Sequence, residues 1–264
     1  MRNIWAIAVK ETRIYLTTTT SYVLMAAFTL ISAFFFQRLV VEFHIRALQY
    51  MQLGDNSAEQ QMNLTDWVMA PLFVNITIFF LFMLPILTMR LLAEERRQKT
   101  LELLMTTPVR PIEIVLGKYA AAAFIMSLML GLTALFPALL ELVGGGAGGH
   151  SAIDWHVMGT AYLGMFLLGS AFVCVGLCAS SLSDSQIISV IVGFAVLLMF
   201  YVIGLAARGQ EGVWQAALQY LSVNTHLEGF VHGVVRLTDV VYFLSLSVMG
   251  LFFTYQVVEA QRWR

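Results

Sequence analysis

Four uncharged runs, each longer than 20 residues, constrain the fold of this chain more than any other feature. They cover Val68–Met89, Tyr119–Leu140, Val157–Leu182 and Gln186–Ala207. An α-helix rises about 1.5 Å per residue, so about 20 apolar residues cross a hydrocarbon core about 30 Å thick. Each run therefore predicts a transmembrane helix.

Two further runs bring the number of predicted spans to six. Ser21–Phe36 is shorter, but it extends to Val41 when Arg38 snorkels toward the headgroups. Val240–Val258 is uncharged along its whole length. The composition agrees, since 59% of the residues are hydrophobic and only 12% are charged, against roughly a quarter charged in soluble domains. We predict an all-α integral membrane protein with six transmembrane helices in a single domain, residues 1–264.

Two shorter segments lie outside these spans. Residues 1–17 predict an N-terminal amphipathic interfacial helix with Lys10 and Arg13 on its polar side. Its apolar side is expected to hold Ile4, Ile7, Ala8, Ile14 and Tyr15. Within residues 208–239, the apolar stretch Val213–Leu227 is too short to span and is interrupted by polar side chains, which predicts a broken or re-entrant helix before the sixth span.

The distribution of basic residues predicts the orientation, because cytoplasmic loops carry the excess of Lys and Arg. With the N-terminus inside, the outer side holds only Arg38, Arg46, Arg208 and Arg236. The inner side then holds Arg2, Lys10, Arg13, Arg90, Arg96, Arg97, Lys99, Arg110, Lys118, Arg262 and Arg264. We therefore expect both termini in the cytoplasm.

The segment 91–118 follows the second span and holds the densest cluster of charge in the chain. Leu91–Met105 predicts a helix that continues the second span, with leucines at near-helical spacing between charged residues. Pro108 ends it, because the residue before a proline avoids the helical region. Pro111 suits the first position of the next helix and Glu113 the third, while Arg110 at the N-cap leaves the capping box half formed. A rigid cytoplasmic hairpin with a face to bury indicates a docking element.

The sequence of this segment, EERRQKTLELLMTTPVRPIEIVLGK, resembles the permease subunits of ABC-2-type transporters, in particular the gliding-motility (GldF-like) branch. The resemblance rests on an acidic pair, basic residues, the pattern T-x-E-L-L, a proline and a final G-K that includes Gly117. It implies a coupling helix that docks into a groove of a separate ATPase. The residues it assigns to ATPase docking are Glu94, Glu95, Arg96, Arg97, Thr100, Glu102, Leu103, Leu104, Pro108 and Lys118.

The same resemblance implies the assembly. Two permeases, identical or paralogous, would pair with two ATPase subunits in a bacterial inner membrane, and an accessory subunit with a periplasmic domain would join them. The Ser180–Gln186 turn would form a smaller ATPase contact. ATP and Mg²⁺ are expected in the partner, because Gly117 and Lys118 do not form a phosphate-binding loop. Ile112 stands where that motif needs Gly, and Tyr119 where it needs Ser or Thr.

Two carboxylates mark a possible substrate pathway. Glu141 near the outer end of the third span and Glu228 in the broken helix are charges at or near membrane depth, where ionisable groups are costly. They are expected to line an exit or to pair with Arg38 or Arg236. No catalytic residue, metal site or nucleic-acid partner is predicted.

Three other functional classes remain as alternatives. An intramembrane serine protease using Ser170 and His226 would lack the G-x-S-x-G elbow. A secondary transporter would favour buried carboxylates near the midplane and two similar halves, which the sequence does not display. A membrane scaffold, or an ABC complex that does mechanical work without cargo, is compatible with the residues. The prediction is an ABC exporter permease that is itself no enzyme.

Overall fold

Long helices make up most of the computed structural model, which describes residues 2–53, 63–99, 109–144, 153–207 and 213–261. The elements in chain order are α1 (Arg2–Thr17), α2 (Thr19–Leu53), a short π-helix (Thr65–Met69), α3 (Ala70–Thr88), α4 (Arg90–Arg97), α5 (Pro111–Thr133), α6 (Leu135–Gly144), α7 (Trp155–Leu182), α8 (Gln186–Ala207), α9 (Val213–Leu221), α10 (Val223–Val231) and α11 (Leu237–Gln261). The described residues contain no strand, so the all-α prediction is confirmed.

Six helices are long and apolar enough to cross a membrane, as predicted. They are Thr19–Tyr50, Thr65–Arg97, Pro111–Leu142, Trp155–Leu182, Gln186–Gly204 and Leu237–Gln261. The first is much longer than the predicted span, since α2 has 35 residues and continues beyond Arg38. An exposed ion pair at 2.5 Å between Glu42 and Arg46 stabilises this extension.

The fourth span, α7, is the centre of the bundle. Of its apolar window, 72% is buried, against 11% in α2 and 17% in α8. Glycines of α7 permit this central position, because side chains of neighbouring helices occupy the space that a side chain at these positions would need. A Cβ at Gly164 would lie 2.5 Å from Phe230, and one at Gly176 would lie 2.2 Å from the hydroxyl of Thr88. Small residues at helix contacts are the usual means of close packing in membranes.

Helix breaks occur in the third span and in the segment before the sixth span. The third breaks at Ala134, because Pro137 has no N–H to donate to the carbonyl of Thr133 four residues earlier. Before the sixth span, α9 and α10 have nine residues each and are separated at Ser222. Each is too short to cross a bilayer, so the predicted broken helix is confirmed as a helix break.

One predicted helix ends early. Leu91–Met105 was expected to be a single helix, but α4 ends at Arg97. The backbone N–H of Gln98 donates to Glu94 and that of Lys99 donates to Arg96, both at 3.0 Å. Lys99 then adopts φ +56°, the left-handed conformation that terminates many helices. The prediction of one continuous helix is therefore wrong, and Thr100–Met105 lie outside the described residues.

The N-terminal helix α1 crosses α5 at Gly117. A Cβ at this position would lie 2.7 Å from Cγ2 of Ile7 and 3.1 Å from the backbone oxygen of Ile4. The crossing therefore depends on the absence of a side chain at Gly117.

We expect Gly117→Ala to lower the free energy of unfolding by about 1–3 kcal/mol, because the new methyl group forces α1 away from α5. The matched control is Gly131→Ala on the same helix, where a Cβ meets nothing within 4 Å. The control should be neutral or stabilising by roughly 0.5–1 kcal/mol. Thermal unfolding of both variants in detergent measures the difference, and equal midpoints would contradict the close crossing.

Candidate functional site

Polar contacts gather five parts of the chain at one end of the bundle. These are α1, α4, the first turns of α5, the turn between α7 and α8, and the end of α11. We call this group the polar end. Ion pairs link α4 and α1 to α5, and α4 to the α7–α8 turn. With the Gln261 amide oriented so that its oxygen faces Arg96, the guanidinium also donates to the end of α11 at 3.0 Å.

A buried ion triad forms the centre of the polar end. Nζ of Lys118 lies 3.0 Å from Oε1 of Glu11 and 2.7 Å from Oε1 of Glu95. The Lys118 side chain is only 1% exposed. A buried ammonium is tolerated only when paired carboxylates offset its desolvation. The triad therefore holds three separate elements, α1, α4 and α5, in one arrangement.

A serine of α7 binds the junction between α3 and α4. Oγ of Ser180 accepts from the backbone N–H groups of Leu92 and Ala93, both at 3.1 Å, and donates to the carbonyl of Met89 at 2.8 Å. Ser180 is fully buried. Backbone groups at the start of α4 are thus satisfied by the neighbouring span. The helix α4 therefore cannot tilt without disturbing α7.

Arg96 joins α4 to the α7–α8 turn. Its Nε lies 2.7 Å from Oδ1 of Asp184, and its guanidinium also donates to the backbone oxygen of Ser181. The Arg96 side chain is mostly buried, while that of Asp184 is exposed. Two segments that the sequence assigns to partner contact therefore form one connected surface.

Tyr15 links α1 to the second span. Its hydroxyl donates to the carbonyl of Leu87 at 2.8 Å, and the guanidinium of Arg90 lies 4.6 Å from the ring centroid. Burial raises the pKa of Tyr15 above its ordinary value, so the hydroxyl stays a donor at neutral pH. Of the apolar side predicted for α1, Ala8 and Tyr15 are buried against the bundle together with Glu11, while Ile14 is exposed. Pairing with Lys118 is the reason that a carboxylate occupies the buried side.

The predicted docking residues divide into three groups. Arg97 is exposed and Glu94 half-buried, so both are accessible to a partner. Lys118 faces inward, and Glu95 and Arg96 hold other elements of this chain. Thr100, Glu102, Leu103, Leu104 and Pro108 lie outside the described residues. Burial indicates a positioning role for Lys118, which no spacing in the sequence could reveal.

The half-formed capping box at the start of α5 is as the sequence predicts. A carboxylate oxygen of Glu113 accepts from the backbone N–H of Arg110 at 3.0 Å. The guanidinium has no acceptor with which to complete the box. Glu113 instead gains a second donor, the amide of Asn3 at 3.1 Å, which ties the beginning of α1 to α5.

The two candidate pathway carboxylates lie at the opposite end. Glu228 is exposed on α10, and Glu141 is half-buried on α6. Among the described residues, neither forms an ion pair with Arg38 or Arg236, so the alternative that they pair with these arginines is wrong. Their role in a pathway stays a prediction.

A buried histidine–aspartate pair that was not predicted pins the broken helix to the sixth span. Nδ1 of His226 lies 2.7 Å from Oδ1 of Asp239, and Nε2 lies 2.9 Å from the carbonyl of Tyr220. The two ring nitrogens therefore contact two different elements, the start of α11 through a carboxylate and the end of α9 through a backbone carbonyl. The hydroxyl of Ser170 bonds with that of Tyr119 instead, so the serine and histidine of the protease alternative have separate partners.

Residues 25–204 match a family model described as ABC-2 family transporter protein. The chain belongs to the ABC-2 transporter family. It is therefore a multi-pass membrane subunit, the permease component of an ABC transporter, and not itself a catalytic subunit. Permeases of this family usually pair with an ABC ATPase. The match runs from α2 into α8 and includes α4, whereas α1 lies outside it. No curated protein matches the sequence.

We expect Lys118→Met to lower the free energy of unfolding of this ABC-2 permease by about 3–5 kcal/mol, because two buried carboxylates lose their shared cation. The triple variant Glu11→Gln, Glu95→Gln, Lys118→Met should recover most of the loss, since it removes all three charges together. Thermal unfolding in detergent measures both.

The matched control is Lys10→Met on α1, whose ammonium is 60% exposed and 3.9 Å from Glu11. An exposed pair contributes little to stability, so this variant should unfold within about 1 kcal/mol of the wild type. A loss for Lys118→Met no greater than that of the control would contradict the role of the triad.

Proposed function

We propose that this chain is an exporter permease of the bacterial inner membrane, with a separate ABC ATPase docked on the polar end. The observation that carries the proposal is the combination of exposed charge on α4 with a buried anchor beneath it. Arg97 at the end of α4 and Lys99 just beyond it are exposed, while Leu91, Leu92 and Ala93 near the start of α4 are buried. A docking element needs both properties to receive a force and transmit it.

The orientation follows from charge. The ion pairs and hydrogen bonds of the polar end place α1, α4 and the end of α11 on one side of the bundle. Most of the described Lys and Arg residues lie in α1, in α4 or between the end of α4 and Lys118 of α5, and basic residues mark the cytoplasmic side. The polar end therefore faces the cytoplasm, where the ATPase binds Mg²⁺ and ATP.

A dimer is supported by the two least buried spans. The helices α2 and α8 leave most of their apolar windows uncovered within one copy. A second copy or a paralogous permease packs against these helices, and the path for cargo lies between the two permeases. We also propose that the chain belongs to the gliding-motility branch and that an accessory subunit with a periplasmic domain joins the complex. Both proposals rest on the sequence resemblance.

The connections of α4 suggest how the ATPase acts. When the two ATPases close on nucleotide, they change the separation of the two copies of α4. Ser180 and Arg96 join α4 to α7 and to the turn before α8, so a shift of α4 moves three spans together. The result is a shift between two conformations of the bundle rather than a local bend.

The docking test is co-purification of an ABC ATPase with the tagged chain in mild detergent. We expect the charge reversal Glu94→Lys, Arg97→Glu to reduce recovery of the ATPase at least tenfold, because buried charge pairs at an interface are costly to break. Membrane insertion should not change, since both side chains lie outside the uncharged runs.

The matched control is Glu42→Lys, Arg46→Glu, which reverses an exposed ion pair on the extension of α2. It should leave ATPase recovery at the wild-type level. Recovery of the chain without any ATPase in all three proteins would instead favour a secondary transporter or a scaffold.

The coupling test uses Arg96 and Asp184. In the reconstituted complex, Arg96→Glu should bring the ATP hydrolysis rate toward that of the isolated ATPase, because α4 and the α7–α8 turn then repel. The swap Arg96→Glu, Asp184→Arg should restore part of the wild-type rate by reforming the pair with opposite polarity. Failure of the swap to improve on Arg96→Glu would exclude this pair as the connection.

A further inference from the structure

An open groove of about 780 Å³ lies in the angle between α1 and α5. Its wall on α1 is the flank beside the buried stripe that carries Glu11 and Tyr15. Its floor on α5 consists of Ala120 and Phe124, which stand at the beginning of the uncharged run of the third span. The groove therefore connects the interfacial helix with the hydrocarbon depth of the membrane.

The lining is apolar along most of its length. Trp5 is 73% exposed at one end of the groove, and Phe124 is 53% exposed on its floor. Val9 and Leu16, which also line the groove from α1, are partly exposed. Tryptophan at such a position is typical of side chains at the headgroup boundary. No other described segment of the chain covers these side chains. A lipid acyl chain is apolar and could pack against them.

One cation stands at the edge of the groove. Arg13 lines it and is exposed, and it forms no ion pair with any carboxylate in the described part of the chain. The neighbouring hydroxyl of Thr17 is already used, since it donates to the backbone oxygen of Arg13 at 2.9 Å. The guanidinium thus offers its donors to an anion, and phosphate, which every phospholipid headgroup carries, is one of the anions whose geometry it matches.

We propose that this groove binds one anionic phospholipid of the surrounding bilayer, with the phosphate on Arg13 and an acyl chain along Trp5, Val9 and Phe124. An apolar floor with a single cation at its edge complements an amphiphile of this charge. The bound lipid fills the angle beside the Lys118 triad and so helps to hold α1 against α5. The proposal needs only a membrane-spanning chain, so it does not depend on ATPase docking.

The test is quenching of tryptophan fluorescence in the full chain, reconstituted in phosphatidylcholine vesicles. One set of vesicles contains brominated phosphatidylglycerol and the other contains brominated phosphatidylcholine, and the fraction of brominated lipid is the same in both sets. The emission of Trp5 is the difference between the wild type and Trp5→Phe. We expect the brominated phosphatidylglycerol to quench Trp5 at a several-fold lower fraction than the brominated phosphatidylcholine.

Two charge variants decide whether Arg13 causes this preference. Arg13→Gln should weaken it about fivefold, the effect expected for one basic residue at an anionic surface. Lys10→Gln removes the same charge from the same helix, but Lys10 lies outside the groove, so the preference should persist.

Three outcomes would overturn the proposal. Equal quenching by the two brominated lipids would indicate ordinary bilayer lipid without selection. A preference that survives Arg13→Gln would remove the assigned headgroup contact. The third outcome combines two results: neither lipid quenches Trp5, and the Trp5→Cys variant forms a disulfide between two copies of the chain. Together they would show that a second copy covers the groove.

Discussion

The buried ammonium of Lys118 is the interaction on which the arrangement of the polar end depends. It is surrounded by protein, and its desolvation is offset only by Glu11 and Glu95. These carboxylates come from different helices, so the cation can be satisfied only when α1, α4 and α5 meet. The close crossing at Gly117, the adjacent residue, lets α1 approach near enough for that pairing.

The same arrangement joins the short helix α4 firmly to the spans. Ser180 satisfies the backbone groups at the start of α4, and Arg96 connects α4 to the turn between α7 and α8. Because α7 is the most buried span, a displacement at this point reaches the centre of the protein. The coupling role proposed for α4 requires this rigid connection to a packed core.

Much of the fold could be predicted because the bilayer imposes a simple length rule. The five spans after α2 begin and end within a few residues of their predicted bounds or, as with α4, continue beyond them as helix. The site was harder to predict. Lys118 and Glu95 resemble exposed docking charges in a dense charged segment, and Glu11 resembles part of a polar helix face. Their burial depends on each other, and a single helix pattern contains no information about a partner on another helix.

The sequence by itself determined the membrane class, the number of spans, the broken helix before the last span and the position of the charged segment between spans two and three. Local run length and helix-breaking residues are sufficient for these. Tertiary structure decided which charges of that segment face inward, where α4 ends, and that α1 leaves an apolar groove with one free-standing arginine. Those outcomes depend on contacts between residues as far apart as Glu11 and Lys118, separated by 107 positions, whose energies arise only after the helices pack.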